Sequence, residues 1–351
     1  MAPAGTERAC ATVAWTPARP ERLGNRVLRW YKAGPDFILH LMIVARAFVL
    51  VLFLASASPS WAAGQPDPAV LKLGSANALV YDPATGRELY RKGADDVTPI
   101  ASVTKLMTAM VVLDANQPLD ETLDVDLGDL DYLKGTRSRL TMGVELPRRE
   151  MLRLALMASE NRAASTLARH YPGGTPAFVA AMNAKASSLG MTRTHFEDPT
   201  GLSPENVSTA RDLARLVEAA SDYPVIREDS VTPSHVVEVQ PTGRALGFTN
   251  SNRLVQSPAW DIRLQKTGYI SEAGRCLVML AEIASRPIVI VLLDSVGKYT
   301  RLADATRVKH WLETGKALPV ASTALKAAKQ ARKPAKATPV RASSRAPARP
   351  R

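Results

Sequence analysis

The stretch TPIASVTKLMTA, Thr98–Ala109, places a serine three residues before a lysine at the head of an apolar, helical run. Residues i and i+3 stand about one turn apart on the same helix face, so Ser102 and Lys105 can touch. A hydroxyl beside an amine is the arrangement of a nucleophile beside its base. The competing account is local: Ser102 caps the helix, Lys105 snorkels its ammonium to water, and Pro99 marks the approach.

Just upstream, NALVYDPATGRELYRK (77–92) alternates apolar and polar residues around Pro83-Ala84-Thr85-Gly86, the pattern of a β-hairpin. Downstream, from Glu150 to about Ala219, the spacing is mostly helical, with loops at YPGG and EDPTGLSPEN. Thr209-Ala210-Arg211-Asp212 reads as a capping box at the start of ARDLARLVEAA. From about Ser234 the chain returns to strands. DIRLQKTGYIS, GRCLVMLAEIA and PIVIVLLDS are short, β-rich and separated by Gly, Glu or Pro turns. ADATRVKHWLETG closes as an amphipathic helix stopped by Gly315. Strands at both ends and helices between predict an α+β fold: an antiparallel sheet flanked by helices, with an all-helical lobe inserted in the middle.

A single S-x-x-K is weak, and Ser295-Val296-Gly297-Lys298 matches it too, where a strand runs out into a Gly turn. Two more short motifs follow Ser102. Ser159-Glu160-Asn161 lies at the break between MLRLALMA and RAASTLARHY, and Lys266-Thr267-Gly268 lies on a strand; a stray S-x-N, Ser75–Asn77, precedes Ser102. The order S-x-x-K, S-x-N, K-T-G, on a helix start, an interhelix loop and a strand, resembles the active-site set of penicillin-binding D,D-peptidases and serine β-lactamases. From about Val70 to Leu312 the chain is similar to the low-molecular-mass D-alanyl-D-alanine peptidases of the S11 family, and SENRAASTLARHYPGG resembles their endopeptidase branch. The Ala/Pro/Lys/Arg-rich residues after the last helix are not expected to form the accessory β-rich domain of many carboxypeptidases of that family.

The resemblance implies a β-lactamase/D,D-peptidase-like fold and a serine peptidase that cuts D-alanyl cross-links in peptidoglycan, with β-lactams as inhibitors. Ser102 becomes the acyl-ester nucleophile and Lys105 its general base. Burial and the cation of Lys266 are expected to disfavour the Lys105 ammonium and lower its pKa. Ser159 relays a proton to the leaving amine, and Asn161 holds either the substrate amide or Lys105. Lys266, Thr267 and Gly268 form the substrate strand, and the backbone N–H groups of Ser102 and Tyr269 form the oxyanion hole. Arg275 and Glu272, in the following turn, read as a solvated hairpin, and Met107 and Met110 as core.

The 351 residues carry a net charge of +12, but residues 1–62 take +4 of it and residues 321–351 take +9, leaving 63–320 at −1. A nucleic-acid-binding face on the folded part is thereby disfavoured. Residues 1–62 read as a leader: Arg46, an apolar stretch Ala47–Ala57, then Ser60-Trp61-Ala62, with cleavage expected after Ala62 and Met42 as the preferred start. The mature chain is therefore expected in the periplasm. The catalytic domain is expected over 63–320. The basic tail 321–351 reads as disordered, with a weak attraction to anionic envelope polymers. Beyond the leader only Cys276 remains, a buried small hydrophobe by its apolar surroundings, and the scattered histidines show no ligand spacing, so neither metal nor cofactor is expected.

Three rivals stand beside this reading. A D-alanyl-D-alanine carboxypeptidase shares every motif. A β-lactamase needs a water-holding glutamate, and its E-x-x-x-N pattern occurs only at Glu21–Asn25 in the leader. A non-catalytic wall-binding protein has no need of three intact motifs.

Overall fold

The hairpin expected around Pro83–Gly86 forms between β1 (Ser75–Asp82) and β2 (Arg87–Lys92). Asp82 Oδ1 accepts from the N–H of Ala84 at 3.0 Å and of Thr85 at 3.2 Å, and Gly86 takes φ +69°. That is the side-chain-to-backbone chemistry that lets an Asp open a tight turn. The structure is a computed structural model that describes residues 66–319; the leader and the basic tail lie outside the described residues.

After the hairpin come β3 (Thr98–Pro99), a single 3₁₀ turn (Ala101–Thr104) and α1 (Lys105–Asp114). The inserted lobe carries β4 (Thr122–Asp124), β5 (Glu145–Pro147), α2 (Arg148–Met157), α3 (Asn161–Arg169) and α4 (Gly174–Ser188). Then follow β6 (Val207–Ser208), α5 (Ala210–Ser221), α6 (Pro224–Ser230) and the hairpin β7 (Ser234–Val239) and β8 (Arg244–Thr249). The chain ends with β9 (Asp261–Ile270), β10 (Gly274–Ile283), β11 (Arg286–Ser295) and α7 (Thr300–Thr314).

The main sheet has the order β2-β1-β11-β10-β9 with every pair antiparallel, so the first and last strands of the domain are hydrogen-bonded neighbours. Pairing of Ala78 with Leu292 and Val80 with Ile290 sets the register. Both sheet faces are covered. Val80, Leu277, Met279, Ile290 and Leu292 pack under Val308, Trp311 and Leu312 of α7. Their alternating neighbours Leu79, Val278, Val289 and Val291 face Leu106, Met107 and Met110 of α1 and Leu213 and Val217 of α5. Burial on two faces explains why β10 and β11 read as unbroken apolar runs. Cys276 is buried within this packing, and burial pushes its thiol up to about 12.

Two local expectations shift. Thr209 caps α5 by accepting from Asp212 N at 3.0 Å, but Asp212 does not return the bond. Its carboxylate instead takes Arg193 N and the Thr194 hydroxyl, pinning the preceding loop. And Ser102 stands not at the start of an α-helix but inside the 3₁₀ turn, with α1 beginning at Lys105.

Candidate active site

The 3₁₀ turn is forced by its surroundings. Ala101 takes φ +49°, a left-handed conformation that costs a non-glycine residue roughly 1–3 kcal/mol. Its carbonyl accepts from Thr104 Oγ1 at 2.8 Å, and Ile100 N donates to Asn206 O at 3.0 Å. Two glycines press on the turn. A methyl added to Gly201, itself at φ +79°, falls 2.0 Å from Ala101 O and 2.8 Å from Ser102 N. One added to Gly268 falls 2.9 Å from Ile100 O and 3.1 Å from Ser102 N. The edge strand β9 therefore lies directly against the backbone of Ser102.

Lys105 does not snorkel. It is fully buried, and Nζ donates to Ser102 Oγ at 3.0 Å, Asn161 Oδ1 at 2.7 Å and Thr200 O at 2.6 Å. Burial lowers its pKa to about 7 against the opposing pull of Asp198, Glu160 and Asp131. A lysine at that value is a competent base near neutral pH. The repulsion between the two ammonium groups, expected to act on Lys105, falls on Lys266: burial, then Lys105 and Arg301, hold Lys266 well below its ordinary value.

The other sequence-predicted residues converge to different degrees. Asn161 opens α3 with its carbonyl on Lys105 and its amide Nδ2 on Thr136 Oγ1 at 3.0 Å. Ser159 sits in the α2–α3 turn at φ +62°, its hydroxyl making no hydrogen bond to Ser102 or Lys105. Lys266 is buried on β9 with Nζ on Thr267 O at 2.8 Å, and Thr267 Oγ1 donates to Ser251 Oγ at 2.7 Å. Tyr269 is exposed, with the Arg275 guanidinium stacked over its ring, and Glu272 is ion-paired to Lys134 at 2.6 Å. The hairpin turn is thus tethered rather than merely solvated.

The stray motifs are structural. Ser295 Oγ pairs with Ser75 Oγ at 2.7 Å above Asp304, while Lys298 lies over the Tyr299 ring. Asn77 donates to Gly93 O and Asp96.

Several partners escaped the motif reading. The Asp198 carboxylate accepts from Thr200 N, Thr200 Oγ1, Gly201 N and Ser203 N, shaping the loop that presents Thr200 O to Lys105. Asn206 bridges that loop to Thr104 Oγ1. The signal was the Asp, Gly and Asn content of EDPTGLSPEN, which marks a turn without saying what it touches. Arg301, in the first turn of α7, is buried with Nε and Nη1 lacking hydrogen-bond partners among the described residues. Its charge bears on Lys266, and its unpartnered N–H groups suit an anionic group. A cleft of about 170 Å³ beside Asn161 is lined by Tyr132, Leu133, Ser165, Pro199, Thr200 and Leu202, among others.

Comparison with known proteins converges on one family. A family model described as D-alanyl-D-alanine carboxypeptidase, Peptidase S11, matches residues 62–297. The chain is 52% identical over 271 residues to a D-alanyl-D-alanine endopeptidase of Pseudomonas aeruginosa, covering 77% of this chain and 87% of that protein. It is 48% identical over 277 residues to a D-alanyl-D-alanine endopeptidase of Escherichia coli, covering 79% and 88%. Among solved structures it resembles penicillin-binding protein D2 of Listeria monocytogenes in its cefotaxime-bound form, with TM-score 0.61, 31% identity, and coverage of 68% of this chain and 96% of that one. This chain belongs to the S11 family of serine D-Ala-D-Ala peptidases.

Proposed function

We propose that the chain is a β-lactam-sensitive serine D,D-endopeptidase that hydrolyses D-alanyl cross-links between peptidoglycan stems. The observation that carries this reading is the Lys105 amine, fully buried, at 3.0 Å from Ser102 Oγ and with a pKa of about 7.

In the mechanism, neutral Lys105 takes the Ser102 hydroxyl proton as Oγ attacks the D-alanyl carbonyl carbon. The carbonyl oxygen becomes an oxyanion received by the N–H groups of Ser102 and Tyr269, a reading supported by the packing of Gly268, next to Tyr269, on the serine turn. The carbon–nitrogen bond breaks, the leaving amine takes the proton held on Lys105, and an acyl ester remains on Ser102. Water then cleaves the ester, with its proton returning through Lys105 and the serine regaining its hydroxyl hydrogen. The carboxylate next to the scissile amide meets Lys266 and Thr267, with Arg301 adding charge from behind.

A cross-link to the D-centre of a diamino acid presents the same adjacent carboxylate as a terminal D-Ala-D-Ala, so this machinery accepts both. The endopeptidase preference is supported by the names of the two relatives near half identity. Export to the periplasm, and loose attraction of the basic tail to anionic envelope polymers, belong to the same reading; both concern segments outside the described residues.

Intact-mass analysis after incubation with penicillin tests the chemistry. The wild type gains one penicilloyl group and Ser295→Ala gains it too, whereas Ser102→Ala gains none; an adduct on Ser102→Ala overturns the assignment. Purified cross-linked dimer muropeptide and monomeric pentapeptide at equal concentration test the specificity. A higher kcat/KM for the dimer is expected, and faster D-Ala release from the monomer makes the protein a carboxypeptidase.

A further inference from the structure

We propose that Thr136 is a positioning residue for the catalytic base: it fixes the Asn161 side-chain amide with its carbonyl on Lys105, so that the amine's third tetrahedral position faces Ser102. The assignment rests on Lys105 acting as the base.

The argument follows the protons along a chain of four side chains. The Asp131 carboxylate accepts from the N–H groups of Leu133 at 2.9 Å, Lys134 at 2.8 Å and Thr136 at 2.8 Å. Burial pushes this carboxyl up, but those bonds outweigh it and hold the group below its ordinary value, so it stays ionised and only accepts. That carboxylate pins the Thr136 backbone, and Thr136 Oγ1 accepts from Asn161 Nδ2 at 3.0 Å. The Asn161 NH₂, and not the Asn161 oxygen, thus faces Thr136. That orientation places Asn161 Oδ1 at 2.7 Å from Lys105 Nζ.

From the other side Thr200 O, at 2.6 Å, also only accepts. Two carbonyls thus claim two N–H bonds of the neutral amine, and the lone pair remains for the Ser102 proton at 3.0 Å. With the amide reversed, Asn161 would donate to that lone pair and occupy it. The charged groups around Lys105 are Asp198, Glu160, Asp131 and Lys266, and of these Asp131 reaches the amide through Thr136.

The loop carrying Thr136 has a second tether that avoids Asn161, the ion pair of Lys134 with Glu272. Lys134→Ala therefore loosens the same loop while leaving the amide in place.

The test measures the second-order rate of acylation by fluorescent penicillin from about pH 5.5 to 9 for the wild type, Thr136→Val, Thr136→Ser, Lys134→Ala and Lys105→Arg. For Thr136→Val the high-pH plateau should fall about tenfold or more, within the range of general-base contributions. Its acidic midpoint should move down, because the ammonium loses a carbonyl acceptor. Thr136→Ser restores both plateau and midpoint, and Lys134→Ala leaves the midpoint in place. A Thr136→Val profile matching wild type, a Thr136→Ser profile as impaired as Thr136→Val, or an equal plateau loss in Lys134→Ala with no midpoint moved in any variant overturns the proposal. Retained acylation in Lys105→Arg instead removes Lys105 as base, a separate failure.

Discussion

At the Lys105 ammonium, burial and hydrogen bonding act in opposite directions. Three acceptors stabilise the charged form and removal from water destabilises it, and burial prevails, leaving a pKa of about 7 in place of 10.5. The sign follows directly. Below pH 7 the folded protein holds the ammonium, which has no lone pair, so acylation of Ser102 should fall about tenfold per pH unit and level off above 7. Stability moves the same way. Between pH 7 and 10.5 the unfolded chain binds more protons than the folded one, so this residue's cost is greatest below 7 and is relieved as pH rises. Lys105→Arg, protonated at every accessible pH, should lose acylation almost entirely. Stopped-flow acylation across pH checks both outcomes, and a flat profile would remove Lys105 from the chemistry. The Ser102–Lys105 spacing was legible in the sequence because adjacency one turn apart is a local property. The lowered pKa was legible only in direction.

Among elements, the 3₁₀ turn before α1 matters most, and its shape comes from outside it. Gly201 and Gly268 reach the turn from segments about 100 and 166 residues away and leave no space for a side chain. Gly201→Ala puts a methyl 2.0 Å from Ala101 O at a left-handed φ of +79°. Destabilisation of at least about 2 kcal/mol is expected, lowering Tm by roughly 4–8 °C, from backbone strain and the clash together. Because the displaced atoms adjoin Ser102, acylation should fall more than stability does, and calorimetry paired with penicillin labelling separates the two. Unchanged labelling and Tm would mean that the loop yields freely. The sequence marked this loop through its Asp, Gly and Asn residues. It could not show that Thr200 O faces Lys105, since a turn motif carries no address. The capping residue Thr209 was readable for the same local reason that the destination of the Asp212 carboxylate was not.

On the scale of the whole molecule, the first and last strands of the domain pair with each other, and the inserted helical lobe brings Asn161 to Lys105 across 56 residues of chain. α7 seals one sheet face through Trp311 and Leu312, and Gly315 ends it at φ +71°. Deleting residues 321–351, which takes the net charge from +12 to +3, should leave Tm and acylation unchanged. It should abolish salt-sensitive binding to isolated wall sacculi. Equal binding by the truncated protein would end the tethering idea. Composition and spacing by themselves determined the α+β architecture, the hairpin, the basic ends and the residues from which a nucleophile and base could be drawn. These follow from local periodicity and from chemistry carried on single side chains. Only the tertiary structure showed how different the surroundings of the two S-x-x-K motifs are. Ser102 meets a fully buried lysine held by two carbonyls, while Ser295 is spent on Ser75 in a buried network. Desolvation and hydrogen-bond partners come from segments distant in the chain, and no local pattern records them.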